Sequence, residues 1–215
     1  MKPLTDCRLY GILDLGYVDP ADVGRVTRAM LEGGVDLIQL RAKQQSLEEI
    51  VDLAARLHAV TAAATVPLIV NDYAEVAARV SIEGVHVGQE DDAVAIAREK
   101  AARPIVVGKS THSLEQARAA QAEGADYIGF GPIFATPTKP DYRPIGLADI
   151  AQVHAEVQLP IFCIGGIKLD NLPQVIAAGA RGVAIVSGIL QARDVAQYAR
   201  ACKELLIESS SSCRS

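Results

Sequence analysis

At 215 residues and a net charge of −5, the chain is long enough for one sizeable domain and too acidic for a general nucleic-acid binder. Half of it is apolar, yet only 4% is aromatic and Trp is absent, so the core falls to Val, Ile, Leu and Ala, as in parallel strands covered by helices. No apolar run reaches the roughly 18 residues of a membrane span, and the first residues lack the apolar core of a secretory signal, which excludes a membrane partner.

The first predicted strand covers 8–13. A helical stretch then ends at Glu32-Gly33-Gly34-Val35-Asp36 and leads into a short apolar strand over 36–40. A helix over 47–64 follows, then strands over 67–70 and 84–87, the latter entered through Glu83-Gly84. Further strands are predicted over 105–108, 126–129, 161–164 and 182–186, with helices over 114–123 and 171–178 between them. The entry pattern returns at Glu123-Gly124-Ala125-Asp126 and Ala178-Gly179-Ala180-Arg181. Gly suits the left-handed position just past a helix, and the short β-branched run after it suits a buried parallel strand.

About eight such strand–helix units imply an α/β fold with a single closed (β/α)8 TIM barrel over 1–207. A doubly wound open sheet is disfavoured because no Gly-x-Gly-x-x-Gly opens an early helix. Residues 208–215, rich in Ser, are expected to form a disordered tail. The cysteines Cys7, Cys163, Cys202 and Cys213 are scattered without paired spacing, which points to free thiols and a cytoplasmic location.

In such a barrel the site is built just past the C-terminal ends of the strands. One part of that rim carries Arg41, Lys43 and Lys139 facing Asp72, Asp91 and Asp92. The mixture makes sense if a polyanion and a hard cation sit between them, because Mg²⁺ prefers one or two carboxylates, waters and phosphate oxygens. Asp72 and Asp91 supply the carboxylates, and the cations take the remaining phosphate charge. The loops after the last two strands contain Gly165-Gly166 and Ser187-Gly188, the usual phosphate position in barrels. Two anionic groups are therefore expected, one with metal and one without. The Pro-rich stretch 131–145 reads either as a binding loop or lid, or as a stiff solvated loop.

The ordered set Gln39-Leu40-Arg41-x-Lys43, Asn71-Asp72, Gly84-Val85-His86-x-Gly88-Gln89-x-Asp91 resembles the thiamine phosphate synthase family. So do Ser110-x-His112, Gly129-x-Gly131-Pro132-Ile133-Phe134-x-Thr136-x-Thr138-Lys139, Ile164-Gly165-Gly166-Ile167 and Val186-Ser187. The resemblance runs from about Leu9 to Leu206, nearly the whole folded chain. It implies a transferase that condenses 4-amino-2-methyl-5-hydroxymethylpyrimidine diphosphate with hydroxyethylthiazole phosphate, giving thiamine monophosphate and diphosphate with Mg²⁺ as cofactor. It also implies that Asp72 and Asp91 hold the metal, and that Gln39, Arg41, Lys43, Asn71, Ser110 and Lys139 contact the pyrimidine diphosphate. Thr136, Thr138, Gly166, Val186 and Ser187 would contact the thiazole phosphate. Asn71, Ser110 and Lys139 are the residues expected nearest the chemistry, in which diphosphate leaves first and the thiazole nitrogen attacks the pyrimidine methylene cation.

Two positions depart from the family pattern. Glu83 stands where Asp is common, before a strand, where the change is expected to be tolerated. Lys109 stands where a small apolar residue is usual, and either points away from the site or adds a cation near the diphosphate. His86 reads as a positioned structural residue, with a proton carrier as the other reading, while His58 and His154 read as surface residues. Glu48 and Glu49 read as helix N-terminal carboxylates, and Asp92 as a cap of the following helix. The rival functions are a thiazole tautomerase of a related barrel family, which would lean on His86, and a non-catalytic barrel that binds a thiamine precursor. The expected partners are small-molecule substrates, and a homodimer is left open.

Overall fold

The computed structural model describes residues 2–136 and 143–212, the last four as backbone only. Eight parallel strands close in chain order into a barrel. They are β1 (Leu9–Asp14), β2 (Leu37–Arg41), β3 (Leu68–Asn71), β4 (Gly84–Val87), β5 (Val106–Thr111), β6 (Tyr127–Phe130), β7 (Ile161–Ile164) and β8 (Val183–Ile185). Pairing of β1 with β8, Leu9 opposite Val183, shuts the ring. Outside lie α1 (Val23–Glu32), α2 (Leu47–Ala63), α3 (Val94–Ala101), α4 (Leu114–Ala122), α5 (Ile150–Glu156), α6 (Leu172–Ala177), α7 (Ser187–Leu190) and α8 (Val195–Ser212). Between β3 and β4 a 3-10 turn at Ala74–Ala78 stands in place of an α-helix.

Two differences from the sequence reading matter. β5 continues to Thr111, past its predicted end at Gly108, so Lys109 and Ser110 are strand residues. At the other end α8 runs to Ser212, so 208–212 are helical where a disordered tail was expected. Once Leu206 anchors the helix in the core, each further residue adds a backbone hydrogen bond without a new nucleus, and Ser is no breaker. Residues 213–215 lie outside the described residues.

Local chemistry sets the helix starts. Ser46 and Glu49 form a reciprocal capping box at α2, and Ser113 accepts from Gln116 N at α4 (3.2 Å). Glu48, the other acid of that first α2 turn, pairs with both terminal nitrogens of Arg79 (2.6 Å each).

The strands separate two apolar cores. The outer one, between strands and helices, includes Leu13, Ile38, Leu40, Val70, Val85, Val107 and Ile128. The inner one fills the lumen with Tyr10, Leu37, Ile69, Tyr127, Phe162 and Ala184. Tyr10, Tyr127 and Phe162 meet edge to face, with ring centroids 5.2–5.9 Å apart, an arrangement aromatic quadrupoles favour. Gly108 makes this possible, because a Cβ there would sit 2.1 Å from the Tyr127 ring.

A device repeats at the N-terminal face. The acid immediately before an even-numbered strand accepts a backbone N–H at the start of the preceding strand. Asp36 takes Arg8 N and Leu9 N (2.8 and 3.0 Å), Glu83 takes Leu68 N (2.8 Å), and Asp126 takes Val107 N (2.7 Å). Each acid also has a basic neighbour: Lys2 and Lys203 on Asp36, His58 on Glu83, Arg98 on Asp126. Glu83, the departure from the family's Asp, therefore does this job with a longer arm. Before β8 the position is Gly182, and the device lapses.

No helix among the described residues is long and apolar enough to cross a membrane. Cys7, Cys163 and Cys202 are free and buried. Burial pushes the Cys7 thiol up to about 11, and those of Cys163 and Cys202 up to about 12, so all three stay protonated and unreactive near neutrality. Cys213 lies outside the described residues.

Candidate active site

The C-terminal ends of the strands open onto a cleft of about 900 Å³ of empty space, its open mouth included. Gln39, Arg41, Asn71 and Ser110 line it from β2, β3 and β5. Thr136, Gly166, Val186 and Ser187 line it from the opposite side. Eight residues singled out in the sequence thus share one cleft. Thr138 and Lys139 lie outside the described residues.

Lys43, Asp72 and Asp91 are not part of the cleft wall but cluster at its edge, next to Asn71. Lys43 Nζ lies 3.4 Å from Asp72 Oδ2. Asp72 holds a left-handed backbone (φ 67°) in which its N–H donates to His86 O at 2.9 Å, tying the end of β3 to β4. Burial and then the adjacent Asp91 carboxylate push the Asp72 carboxyl above the usual carboxylate range, and Lys43 only partly offsets them. Asp91 Oδ2 accepts from Gly88 N at 2.7 Å. Among the described residues, two neighbouring carboxylates meet one ammonium, that of Lys43, and a divalent cation would offset the excess negative charge. Among the described residues no group of three or more His, Cys, Asp or Glu could hold a metal alone. A cation here would complete its shell with water and an anionic ligand, as Mg²⁺ does.

Asp92 does not cap α3, contrary to the sequence reading. The cap position is Ala93, without a side-chain bond, and Asp92 Oδ2 instead accepts from Lys100 Nζ at 2.7 Å. Lys100 also pairs with Glu75 of the 3-10 turn, at 3.3 Å.

Arg41 is fixed by a residue the sequence reading missed. Its Nη1 lies 2.5 Å from Oδ2 of Asp14, an acid only 3% exposed at the end of β1, whose Oδ1 accepts from Gly16 N at 2.9 Å. The signal was available, since Asp14 is the charged residue at the mouth of the first strand. Replacing Asp14 with Asn is expected to lower kcat/KM for the cleft's anionic substrate about tenfold, by loosening the guanidinium. Steady-state kinetics with a melting curve on the same sample checks this. An unchanged kcat/KM would show that Arg41 holds its place without Asp14.

Lys109 turns out of the barrel. Strand alternation sends Ser110 inward and Lys109 outward, where Nζ donates to Glu123 Oε2 at 2.8 Å. It adds no cation to the cleft. His86 points inward, with Nδ1 3.1 Å from the Tyr127 hydroxyl and Nε2 3.0 Å from Ser110 Oγ. His112 Nδ1 bonds the Gly131 carbonyl, which can only accept, so that nitrogen carries the proton. His58 and His154 are half-buried and not the surface residues expected. Burial, then Arg181 and Arg8, push His154 down to about 4, so it is neutral at physiological pH.

The loop after β7 is closely fitted to the loop after β6. Gly165 and Gly166 both have positive φ (100° and 64°), and a Cβ would meet Pro132 Cβ at 2.4 Å or Ala135 O at 2.6 Å. Phe134 N donates to Gly165 O (2.9 Å), and Asn171 Nδ2 donates to Gly166 O (2.9 Å). Asn171 is a second support that the sequence reading did not name. Ile145 N donates to Pro132 O at 2.8 Å, pinning the far end of the Pro-rich stretch to its start.

The family model described as thiamine monophosphate synthase matches residues 9–189. A thiamine-phosphate synthase from Chloroflexus aurantiacus is 42% identical over 204 residues, covering 94% of this chain and 94% of that protein. One from Shouchella clausii is 41% identical over 211 residues, covering 98% and 100%. Among solved structures, a thiamine phosphate pyrophosphorylase from Pyrococcus furiosus superposes with a TM-score of 0.88 at 32% identity, covering 97% and 99%.

Proposed function

The chain belongs to the thiamine monophosphate synthase family and forms thiamine monophosphate, and we propose that it does so by Mg²⁺-assisted loss of diphosphate from the pyrimidine substrate followed by capture of the thiazole phosphate. The observation that carries the metal-assisted route is the facing Asp72–Asp91 pair with Lys43, set at the edge of a cleft that Arg41, Asn71 and Ser110 enter.

Asp72 and Asp91 would hold Mg²⁺. When bound, the ion supplies positive charge that stabilises the departing diphosphate. Lys43 and Arg41 add to that charge, Lys43 as a mobile point and Arg41 as a fork steadied by Asp14. Gln39, Asn71 and Ser110 orient the pyrimidine diphosphate, and Lys139 is proposed to join them. Across the cleft, Gly166, Val186 and Ser187, with Thr136 and Thr138, receive the thiazole phosphate, so that its nitrogen faces the methylene carbon as diphosphate departs. Bringing the partners together and keeping water from the cation would account for much of the rate, and no protein nucleophile is needed. The buried, protonated cysteines agree with that and with a cytoplasmic setting.

The test is diphosphate release by the purified protein given both precursors, with Mg²⁺ and then with a chelator. Release that requires both substrates and the metal, with thiamine monophosphate formed in step, supports the proposal. Turnover undiminished by chelation would remove the metal from the mechanism.

A further inference from the structure

Five polar side chains from five strands form an unbroken hydrogen-bond chain through the lumen. Gln39 Nε2 donates to the Tyr10 hydroxyl at 2.6 Å, and the Tyr10 and Tyr127 hydroxyls lie 3.0 Å apart. Tyr127 is 3.1 Å from His86 Nδ1, and His86 Nε2 is 3.0 Å from Ser110 Oγ. Gln39 and Ser110, the two ends, line the cleft, as do Tyr10 and His86 at its floor, and the Tyr10 and Tyr127 side chains are almost fully covered.

A tyrosine hydroxyl or a neutral imidazole has one proton to give, so the chain can point only one way at a time. With Gln39 donating, Tyr10 donates to Tyr127, Tyr127 to His86 Nδ1, and His86 Nε2–H to Ser110. The Ser110 proton is then left for the cleft, and Gln39 offers its carbonyl oxygen. With the chain reversed, Gln39 offers N–H and Ser110 offers a lone pair. Any mixed display would break a hydrogen bond along the chain, which is costly at the buried Tyr10 and Tyr127 hydroxyls.

We propose that this chain is a specificity device that obliges Gln39 and Ser110 to present opposite hydrogen-bonding roles, so that a ligand accepting from Ser110 must donate to Gln39. The inference rests on the synthase reading above. On that reading a diphosphate oxygen accepts from Ser110, and Gln39, whose amide nitrogen is turned to Tyr10, presents its carbonyl oxygen, which an amino substituent on the pyrimidine matches and an oxo substituent opposes. Tyr10, Tyr127 and His86 are positioning residues that act through the two ends.

The experiment compares kcat/KM for the amino-pyrimidine diphosphate and its oxo analogue in the wild type, Tyr10→Phe, Tyr127→Phe and the double variant. Phe keeps the ring contacts and removes one link. Each single variant is expected to lower the amino-to-oxo ratio by about tenfold or more, and the double variant no further, since one cut frees both ends. Unchanged ratios, or losses that multiply, would overturn the device. Should the variants not fold, 15N NMR of wild-type His86 with the amino-pyrimidine diphosphate bound decides. Protonated Nε2 with bare Nδ1 supports the chain, and the opposite tautomer overturns it. A wild-type protein that turns over neither substrate refutes the synthase reading itself, whereas unchanged ratios in active variants refute only the chain.

Discussion

Replacing Asp91 with Asn is expected to lower kcat/KM for thiamine monophosphate formation by about 10³ or more, without loosening the fold. The amide keeps an oxygen that can accept from Gly88 N, as Asp91 Oδ2 does at 2.7 Å, so the turn before α3 survives. What disappears is one of two negative charges at the cleft edge. In the metal-free protein that loss relieves Asp72, whose carboxyl burial and Asp91 together push above its ordinary range, so the variant should melt no lower than the wild type. With Mg²⁺ and inorganic diphosphate added, the order should invert. Binding that stabilises the wild type by about 2.7 kcal/mol at a hundredfold excess over Kd should be largely absent from the variant. Diphosphate-release kinetics over a Mg²⁺ titration, with paired melting curves, reads both effects. A variant with the wild type's Mg²⁺ dependence would remove Asp91 from the metal's shell and leave Asp72 to act alone.

The barrel was legible because its signal is local and repeated: a Gly-terminated helix, a short linker and a β-branched run recur along the chain. Strand ends then carry a rule about where chemistry sits, which is why Gln39, Arg41, Asn71 and Ser110 could be named before their cleft was seen. The sequence reading failed where the information is not local. The partners in the lumen chain are separated by as many as 117 positions, Tyr10 to Tyr127, and nothing in either neighbourhood says that the rings will meet. That contact depends on how far the strands are sheared around the ring, which also leaves room for Tyr127 only because position 108 is Gly. Lys109 was ambiguous for a simpler reason. Ending the strand at Gly108 removed the alternation that sends it outward to Glu123. Asp14 was passed over because the predicted first strand stops at Leu13, although the acid itself still belongs to β1.

At the opposite face, Asp36→Asn should lower stability by about 3 kcal/mol at pH 7 and leave kcat untouched below the melting range. Asp36, 7% exposed, accepts from two backbone N–H groups and pairs with Lys2 and Lys203. Burial pushes its carboxyl up, but those lysines and N–H donors outweigh burial and hold it below the ordinary carboxylate range. A group held low in the folded state contributes stability that is fully present above its unfolded pKa, near 4, and is lost as pH falls through the folded value. The melting gap between wild type and variant, about 6–12 °C for a chain of this length, should therefore hold steady from pH 7 to about 5 and narrow below about 4. Asp126→Asn is the internal control. It sits in the same device, but its pair with Arg98 is 38% exposed on both sides, so solvent screens it and the loss should be about 1 kcal/mol or less. Melting curves of both variants across that pH range separate a buried clamp from a surface pair. Equal losses at the two sites would mean that the repeated acid acts through its backbone bonds alone and that the lysines add nothing, and a gap at Asp36 that widens in acid would mean that folding raises its carboxyl instead of lowering it.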